Sequence, residues 1–186
     1  MKIVGFCASP HENGNTAWTL NKILEGAKEH GAETVSFYSS CMDIKPCSGC
    51  LGCKQDNLKC IVNDDMQKIY KEIEDSDTII LGTPIYMGQM AGQAKIFIDR
   101  LFAEISPRFS PHFKERDVKQ KLILVFTQGN PNADFFKKYY DYTKEMFQLL
   151  EFDVQDVVVV AGTRTELAKD KDGLQEMMKN IGAGLI

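Results

Sequence analysis

Lys2-Ile3-Val4-Gly5-Phe6-Cys7-Ala8, followed by Ser9-Pro10-His11-Glu12-Asn13-Gly14-Asn15-Thr16, is the stretch that decides the fold. The first seven residues form a short apolar run ended by Ser-Pro, the pattern of a buried strand. Asn15-Thr16 then offers an N-cap, and Leu20, Ile23, Leu24 and Ala27 recur at helical spacing until Gly31 closes the helix. The same alternation continues along the chain. Strands are expected at 34–38, 78–82, 121–127 and 154–161, and helices from Asp64 or Asp65, through Lys95 to Leu101, at 133–150 and at 167–181. Five β/α units in succession require helical crossovers, and so a five-stranded parallel sheet with helices on both faces. Ligands of such α/β sheets bind outside the carboxyl ends of the strands, where strand order reverses. The loops after the first, third and fourth strands are therefore the ones to read for chemistry.

The first of these loops places hydroxyls, an amide and a glycine directly before a helix N-terminus. Exposed backbone N–H groups and the helix dipole make that a phosphate site, with a simple helix cap as the plain alternative. It lacks both the Gly-Lys-Ser/Thr of a Walker A loop and the G-x-G-x-x-G of a dinucleotide fingerprint. A second signal interrupts the β/α rhythm after the second strand. Cys47, Cys50, Cys53 and Cys60 follow a C-x2-C-x2-C-x6-C spacing in a loop running from 39 to 63. Tight turns of this length aim successive thiolates at one centre, which suits an iron–sulfur cluster, a 4Fe-4S cluster above all, or less often zinc. Ferredoxins space the fourth cysteine by three residues and follow it with proline, whereas here the gap is six and Ile61 follows. Cys7, at the end of a strand, reads as a small core hydrophobe, and Cys41 as a loop thiol.

Composition narrows the classes. The 186 residues, 44% hydrophobic, suffice for one domain with a substantial core, so residues 1–186 are read as a single unit with the cysteine loop inserted. No apolar run approaches the ~18 residues of a membrane span, and because the first strand pattern starts at once no signal peptide is expected. A net charge of −4 argues against nucleic acid as a partner. Six cysteines without a secretion signal imply a reducing, cytoplasmic setting, in which the cluster of thiols reads as metal-binding or catalytic rather than as a disulfide framework. The polar segment 106–119, with Pro107, Pro111, Arg108, Lys114, Arg116 and Lys119, is expected to be a solvated connection, with a lid or docking surface as the sharper alternative.

Gly5-Phe6-Cys7-Ala8-Ser9-Pro10 with Gly14-Asn15-Thr16 resembles the phosphate loop of the flavodoxin-like NADPH-dependent FMN reductase superfamily. Thr83-Pro84-Ile85-Tyr86-Met87-Gly88, followed by Lys95 and Asp99-Arg100, resembles its second signature, which packs along the isoalloxazine ring. The compact cysteine run followed by Ile61-Val62-Asn63-Asp64-Asp65-Met66 is similar to the iron–sulfur flavoproteins of that superfamily. Departures are His11, where a basic residue usually follows Ser-Pro, and Thr163-Arg164-Thr165, where a glycine-rich tail is expected.

The resemblance implies a flavodoxin-like, doubly wound fold that binds FMN. In it Ser9, Pro10, His11, Asn13, Gly14, Asn15, Thr16 and Ala17 form the phosphate arm, with Ser9, Asn15 and Thr16 as donors. Pro84, Ile85, Tyr86, Met87 and Gly88 line the ring, and Gln128, Gly129 and Asn130 approach from the fourth strand. Cys47, Cys50, Cys53 and Cys60 hold the cluster. Trp18 is expected to anchor its helix, Lys95 and Asp99 to form a surface ion pair, and Asp99-Arg100 to belong to a subunit contact. The implied activity is an FMN-dependent oxidoreductase passing electrons between flavin and cluster. NAD(P)H enters as a transient substrate, and a redox protein or small acceptor is the partner. The long cysteine loop suggests a homodimer or homotetramer that covers it. Two readings stay open beside this one: an NAD(P)H-dependent FMN or quinone reductase whose cysteines hold no cluster, and a non-enzymatic flavodoxin-like carrier or redox sensor. Zinc remains the alternative occupant of the cysteines.

Overall fold

In the structure, a computed structural model, residues 1–55, 59–104 and 119–186 are described. Five strands run parallel: β1 (Lys2–Cys7), β2 (Glu33–Tyr38), β3 (Thr78–Tyr86), β5 (Lys121–Thr127) and β6 (Asp153–Val160). Their order is β2-β1-β3-β5-β6, so the chain runs outward from β1 to β2 and then crosses back to β3. That reversal opens the crevice of a doubly wound, flavodoxin-like sheet between the ends of β1 and β3. A sixth strand, β4 (Gln89–Met90), pairs antiparallel with the tip of β3.

Alternation along each strand splits the core in two, because successive side chains point to opposite faces. Val4, Phe6, Leu122, Leu124 and Phe126 face α2 (Met66–Glu74), α3 (Gly92–Arg100) and α4 (Lys137–Leu149). Ile3, Cys7, Ile123 and Val125 face α1 (Asn15–Glu29) and α5 (Leu174–Ala183). Cys7 is fully buried, as a core hydrophobe should be, and Trp18 packs on the second cluster as an anchor of α1. The helices α1 and α5 cross at two glycines: a Cβ on Gly26 would lie 2.1 Å from Lys179 O, and one on Gly182 would lie 1.9 Å from Ile23 O. Only hydrogen side chains permit that approach.

Three expectations from the sequence shift. The loop expected from Thr83 is instead a continuation of β3 to Tyr86 that doubles back through Met87 and Gly88 into β4. Both turn residues have positive φ, 50° at Met87 and 81° at Gly88, the requirement of a two-residue hairpin that follows strand twist. Glycine meets it freely, but methionine was not a readable signal for it. The fourth helix begins at Lys137 after a 3₁₀ turn at Ala133–Phe136, and the last begins at Leu174, because a separate turn at Ala168–Asp170 intervenes. The segment 106–119 lies outside the described residues apart from Lys119, whose ammonium pairs with Glu151 at 2.9 Å. Among the described residues no helix is long and apolar enough to cross a membrane.

Candidate functional site

Two separate pockets collect the residues singled out above. The first lies at the crevice and is an open cleft of ≈ 260 Å³ lined by Ser9, His11, Gly14, Asn15, Thr16, Pro84, Ile85, Tyr86, Thr127, Gly129, Thr163 and Arg164. Residues from the ends of β3 and β5 and from the loops after β1, β5 and β6 thus meet at one place. Gly14 precedes α1 without supplying a side-chain cap, so the first-turn amides of the helix have no internal partner. That end of α1 faces the cleft and is suited to an anion. Gly14 is also tightly enclosed: a Cβ there would come within 3.1 Å of His11 Cβ.

The polar side chains of this cleft are fixed by one another. Ser9 Oγ accepts from the His11 N–H at 3.1 Å, shaping the turn before the helix. The Thr16 and Thr127 hydroxyls share a hydrogen bond of 2.6 Å and tie α1 to the end of β5. Asn15 Oδ1 accepts from the Ala168 N–H at 2.7 Å, which draws the loop after β6 over the start of α1. Asn15 and Thr16 therefore hold the cleft together, Asn15 through its acceptor Oδ1 and Thr16 through the hydroxyl that the sequence reading assigned to phosphate. Thr163 Oγ1 donates to Gln128 O at 3.0 Å and carries Arg164 over Gly129.

Other expected residues stand differently. Tyr86 is 44% exposed on the cleft wall, while Met87 projects fully into solvent at the hairpin tip. Pro10 and Asn13 are exposed on the first loop, and Ala17 is buried beneath it. Gln128 is buried; its amide donates to Asn130 O at 3.1 Å and Asn132 O at 2.7 Å, and its carbonyl accepts from the Tyr140 hydroxyl. Its side chain organises the loop after β5 rather than facing the cleft. Asn130 is half-buried and closes a local turn, its Oδ1 accepting from the Asn132 N–H at 2.9 Å. Thr127, Thr163 and Arg164 were missed as site residues. The Arg164 position was noticed only as a departure from a motif, because a single sequence does not show that the β6 loop folds back onto α1.

The second pocket is small, ≈ 30 Å³, and Cys47, Cys50, Cys53 and Cys60 all line it, together with Val62, Asp99, Arg100, Phe102 and others. Local backbone makes the convergence: Gly49 and Leu51 adopt positive φ of 67° and 57°, and a 3₁₀ turn at Gly52–Lys54 follows. A Cβ on Gly52 would stand 2.9 Å from the Ile61 side chain, so the outgoing and returning limbs of the loop touch there. Lys54 Nζ donates to Phe102 O at 2.6 Å and lies 4.3 Å from the Phe102 ring centroid, pinning the loop to the end of α3. Gln67 donates to Cys60 O and Val62 O at 2.9 and 2.7 Å. Asp65 and Asp64 accept from the amides of Asp43 and Lys45 and fasten the incoming limb. The sequence starts helix α2 at Asp64 or Asp65; Asp64 does accept from the Met66 N–H at 3.0 Å, and both aspartates also clamp the cysteine loop.

Arg100 departs most from expectation. It is no surface residue available to a subunit contact: its side chain is 1% exposed and paired with Asp64, whose side chain is fully buried. Lys95 and Asp99 do form a surface ion pair, at 2.5 Å. Burial opposes ionisation of Asp64, yet the Arg100 guanidinium and the Lys45 and Met66 amides hold its carboxyl below the usual carboxylate range. Among the described residues no three His, Cys, Asp or Glu side chains stand at the spacing of a single-ion site. Four thiolates on one zinc ion, each about 2.3 Å from it, need a tighter gathering. The structure thus contributes a shared sulfur pocket and not a preformed ion site.

The thiols differ in kind. The Gly52 amide and the Ser48 hydroxyl lower the pKa of the exposed Cys50, whereas burial raises that of Cys53 and pushes Cys7 up to about 11. Thiolate is the form that attacks alkylating agents. In reduced, metal-free protein at neutral pH, limiting iodoacetamide should therefore label Cys50 faster than Cys7 by a factor on the order of 100 or more. Peptide mapping over time measures it; equal labelling of the two would show that the turn at Cys50 does not form.

Comparison with known proteins agrees with this geometry. The family model for NADPH-dependent FMN reductase matches residues 1–134. An iron–sulfur flavoprotein of Methanocaldococcus jannaschii is 37% identical over 100 residues, covering 54% of this chain and 51% of its own length. One of Methanosarcina thermophila is 37% identical over 100 residues, again 54% of this chain and 52% of the relative. The chain thus spans about half the length of the curated relatives it matches. Among solved structures, an NAD(P)H:quinone oxidoreductase from Methanothermobacter marburgensis superimposes with a TM-score of 0.75 at 12% identity, over 100% of this chain and 96% of the other, a likeness of fold. With the cleft at its switch point and a family match over most of its length, the chain belongs to the NADPH-dependent FMN reductase family of flavin-dependent oxidoreductases.

Proposed function

We propose that this protein is an FMN-dependent oxidoreductase that passes electrons between flavin and an iron–sulfur cluster, with NAD(P)H or a redox protein at the flavin side. The observation that carries the reading is that Cys47, Cys50, Cys53 and Cys60 line one pocket, into which a buried guanidinium also reaches. The donor set fits: four sulfurs, one with a lowered thiol pKa, beside hydrogen-bond donors, where a cluster of Cys₄ type takes thiolate ligands. The cleft fits FMN in the same sense, with an uncapped helix N-terminus, a tightly enclosed glycine and the positive charge of Arg164.

FMN accepts two electrons and releases them singly, and a cluster carries one at a time, so the two groups together connect two-electron donors with one-electron acceptors. The chain's residues hold the geometry for this. The first-turn amides of α1, Ser9 and Gly14 receive the phosphate, and Arg164 adds a positive charge at the cleft. The Thr16–Thr127 and Asn15–Ala168 bonds fix the walls against which the flavin lies. Tyr86 lines one side of the cleft. Cys47, Cys50, Cys53 and Cys60 are the ligands of the cluster.

Anaerobic purification followed by reconstitution tests the proposal by flavin, iron and acid-labile sulfide content. Stoichiometric FMN with several irons and sulfides per chain is expected. Failure to bind FMN would overturn the whole reading. FMN with neither iron nor sulfide would favour the second reading, an NAD(P)H-dependent reductase whose cysteines stay thiols. The absence of a single-ion spacing among the described residues is what favours that alternative.

A further inference from the structure

Arg100 is an expensive residue to place where it stands. Its side chain is 1% exposed, and a buried guanidinium is tolerated only when paired and hydrogen-bonded. Asp64 pairs with it through two bonds, Nη1 to Oδ2 and Nη2 to Oδ1, the latter 3.1 Å. Nη1 also donates to Lys45 O at 2.8 Å, and the Tyr70 ring lies 5.9 Å below, with its hydroxyl donating to Arg100 O at 2.7 Å. The bonds to Asp64 and Lys45 hold the guanidinium in one orientation.

Two N–H donors of that held group are not used by the ion pair, one on Nη2 and one on Nε. Nη2 donates to Cys60 Sγ at 3.4 Å. Nε is buried and, among the described residues, has no hydrogen-bond partner. Arg100 itself lines the pocket with the four cysteines. An ion pair serving stability alone would not need to turn the second N–H of Nη2 to a cysteine and leave Nε unsatisfied, since an unpaired buried donor is costly.

We propose that Arg100, oriented by Asp64, is a positioning residue of the cysteine centre: its guanidinium donates to Cys60 Sγ and, through Nε, to a second sulfur acceptor of the bound cluster. The proposal rests on the cluster reading above. Hydrogen bonds to the sulfurs and nearby positive charge stabilise the more negative, reduced state of an iron–sulfur centre, so Arg100 raises its reduction potential. Lysine keeps the charge but has no planar fork, and cannot satisfy Asp64, Cys60 and a further sulfur together.

The test compares anaerobically reconstituted wild-type protein with Arg100→Lys and with the double variant Arg100→Gln/Asp64→Asn. The double variant removes both buried charges and avoids leaving an orphaned carboxylate. Iron and sulfide content, the cluster midpoint by EPR-monitored redox titration, and the flavin midpoint of the same samples are the readouts. Both variants are expected to keep FMN and its midpoint, and to shift the cluster midpoint to more negative values, the double variant further. If the double variant loads no cluster while Arg100→Lys does, the shift in the latter decides. Loaded variants with the wild-type cluster midpoint would overturn the proposal and leave Arg100 as a structural ion pair. Wild-type protein that takes up FMN but neither iron nor sulfide would instead sink the cluster reading, and this inference with it.

Discussion

Serine at any one of Cys47, Cys50, Cys53 or Cys60 is expected to abolish or degrade the iron–sulfur content of anaerobically reconstituted protein while leaving FMN bound. The two halves of this result have separate structural causes. The four thiols line one pocket, so each contributes to the same centre, and a hydroxyl is a poorer ligand for iron than a thiolate. The switch-point cleft shares no lining residue with that pocket. Its affinity for FMN should change by no more than about 0.5 kcal/mol, the scale of substitutions remote from a site. Electron transfer to a one-electron protein acceptor should fall, while direct reaction of reduced flavin with small oxidants persists. Two controls sharpen the comparison. Cys41, exposed in a short 3₁₀ turn, should tolerate serine with full iron content, and Cys7→Ser should cost stability without removing iron, since it buries a hydroxyl in an apolar core. Joint loss of FMN and iron in a folded cysteine variant would mean that the two sites are not independent. Iron retained in all four variants would remove the cysteines from the site.

Alanine at Gly182 is expected to destabilise the protein by about 3 kcal/mol or more, and at Gly26 by a similar amount. Helix propensity alone predicts the opposite, a gain of roughly 0.5–1 kcal/mol on replacing a helical glycine by alanine. Packing decides the sign. The new Cβ at Gly182 would lie 1.9 Å from Ile23 O and 2.7 Å from Ala27 N, both backbone atoms of α1 that no rotamer change can move. The helix α5 must lift off, opening the core around Met178, Leu20 and Ile23. For a chain of this size a loss of 3 kcal/mol corresponds to a fall in Tm of about 6–12 °C. Thermal unfolding of the metal-free protein measures it. Unchanged or raised Tm in Gly182→Ala would show that the two helices do not cross as closely as described.

The alternation of short apolar runs with 3.6-periodic segments determined the sheet and its helical layers, because strands buried on both faces and amphipathic helices leave distinct local patterns. It also fixed which loops matter. A loop ending at a helix N-terminus, as at Gly14-Asn15, and four cysteines within fourteen residues are signals carried entirely by neighbours in sequence. What local patterns do not contain is the partner of a polar side chain. Asn15 reaches Ala168, Thr16 reaches Thr127, and Arg164 comes over Gly129 because the sheet sets the ends of β5 and β6 side by side and only β3 between them and β1. Arg100 is the clearest case. Four residues after Lys95 stands Asp99, and both are exposed as helical spacing suggests, but the next residue turns inward. Its burial depends on Asp64, thirty-six positions earlier, arriving at the same place from the segment just before α2. Composition and periodicity set the energy of burying apolar surface, which is additive and local. A buried ion pair aimed at a sulfur pocket depends on geometry between distant segments, and only the tertiary structure decides it.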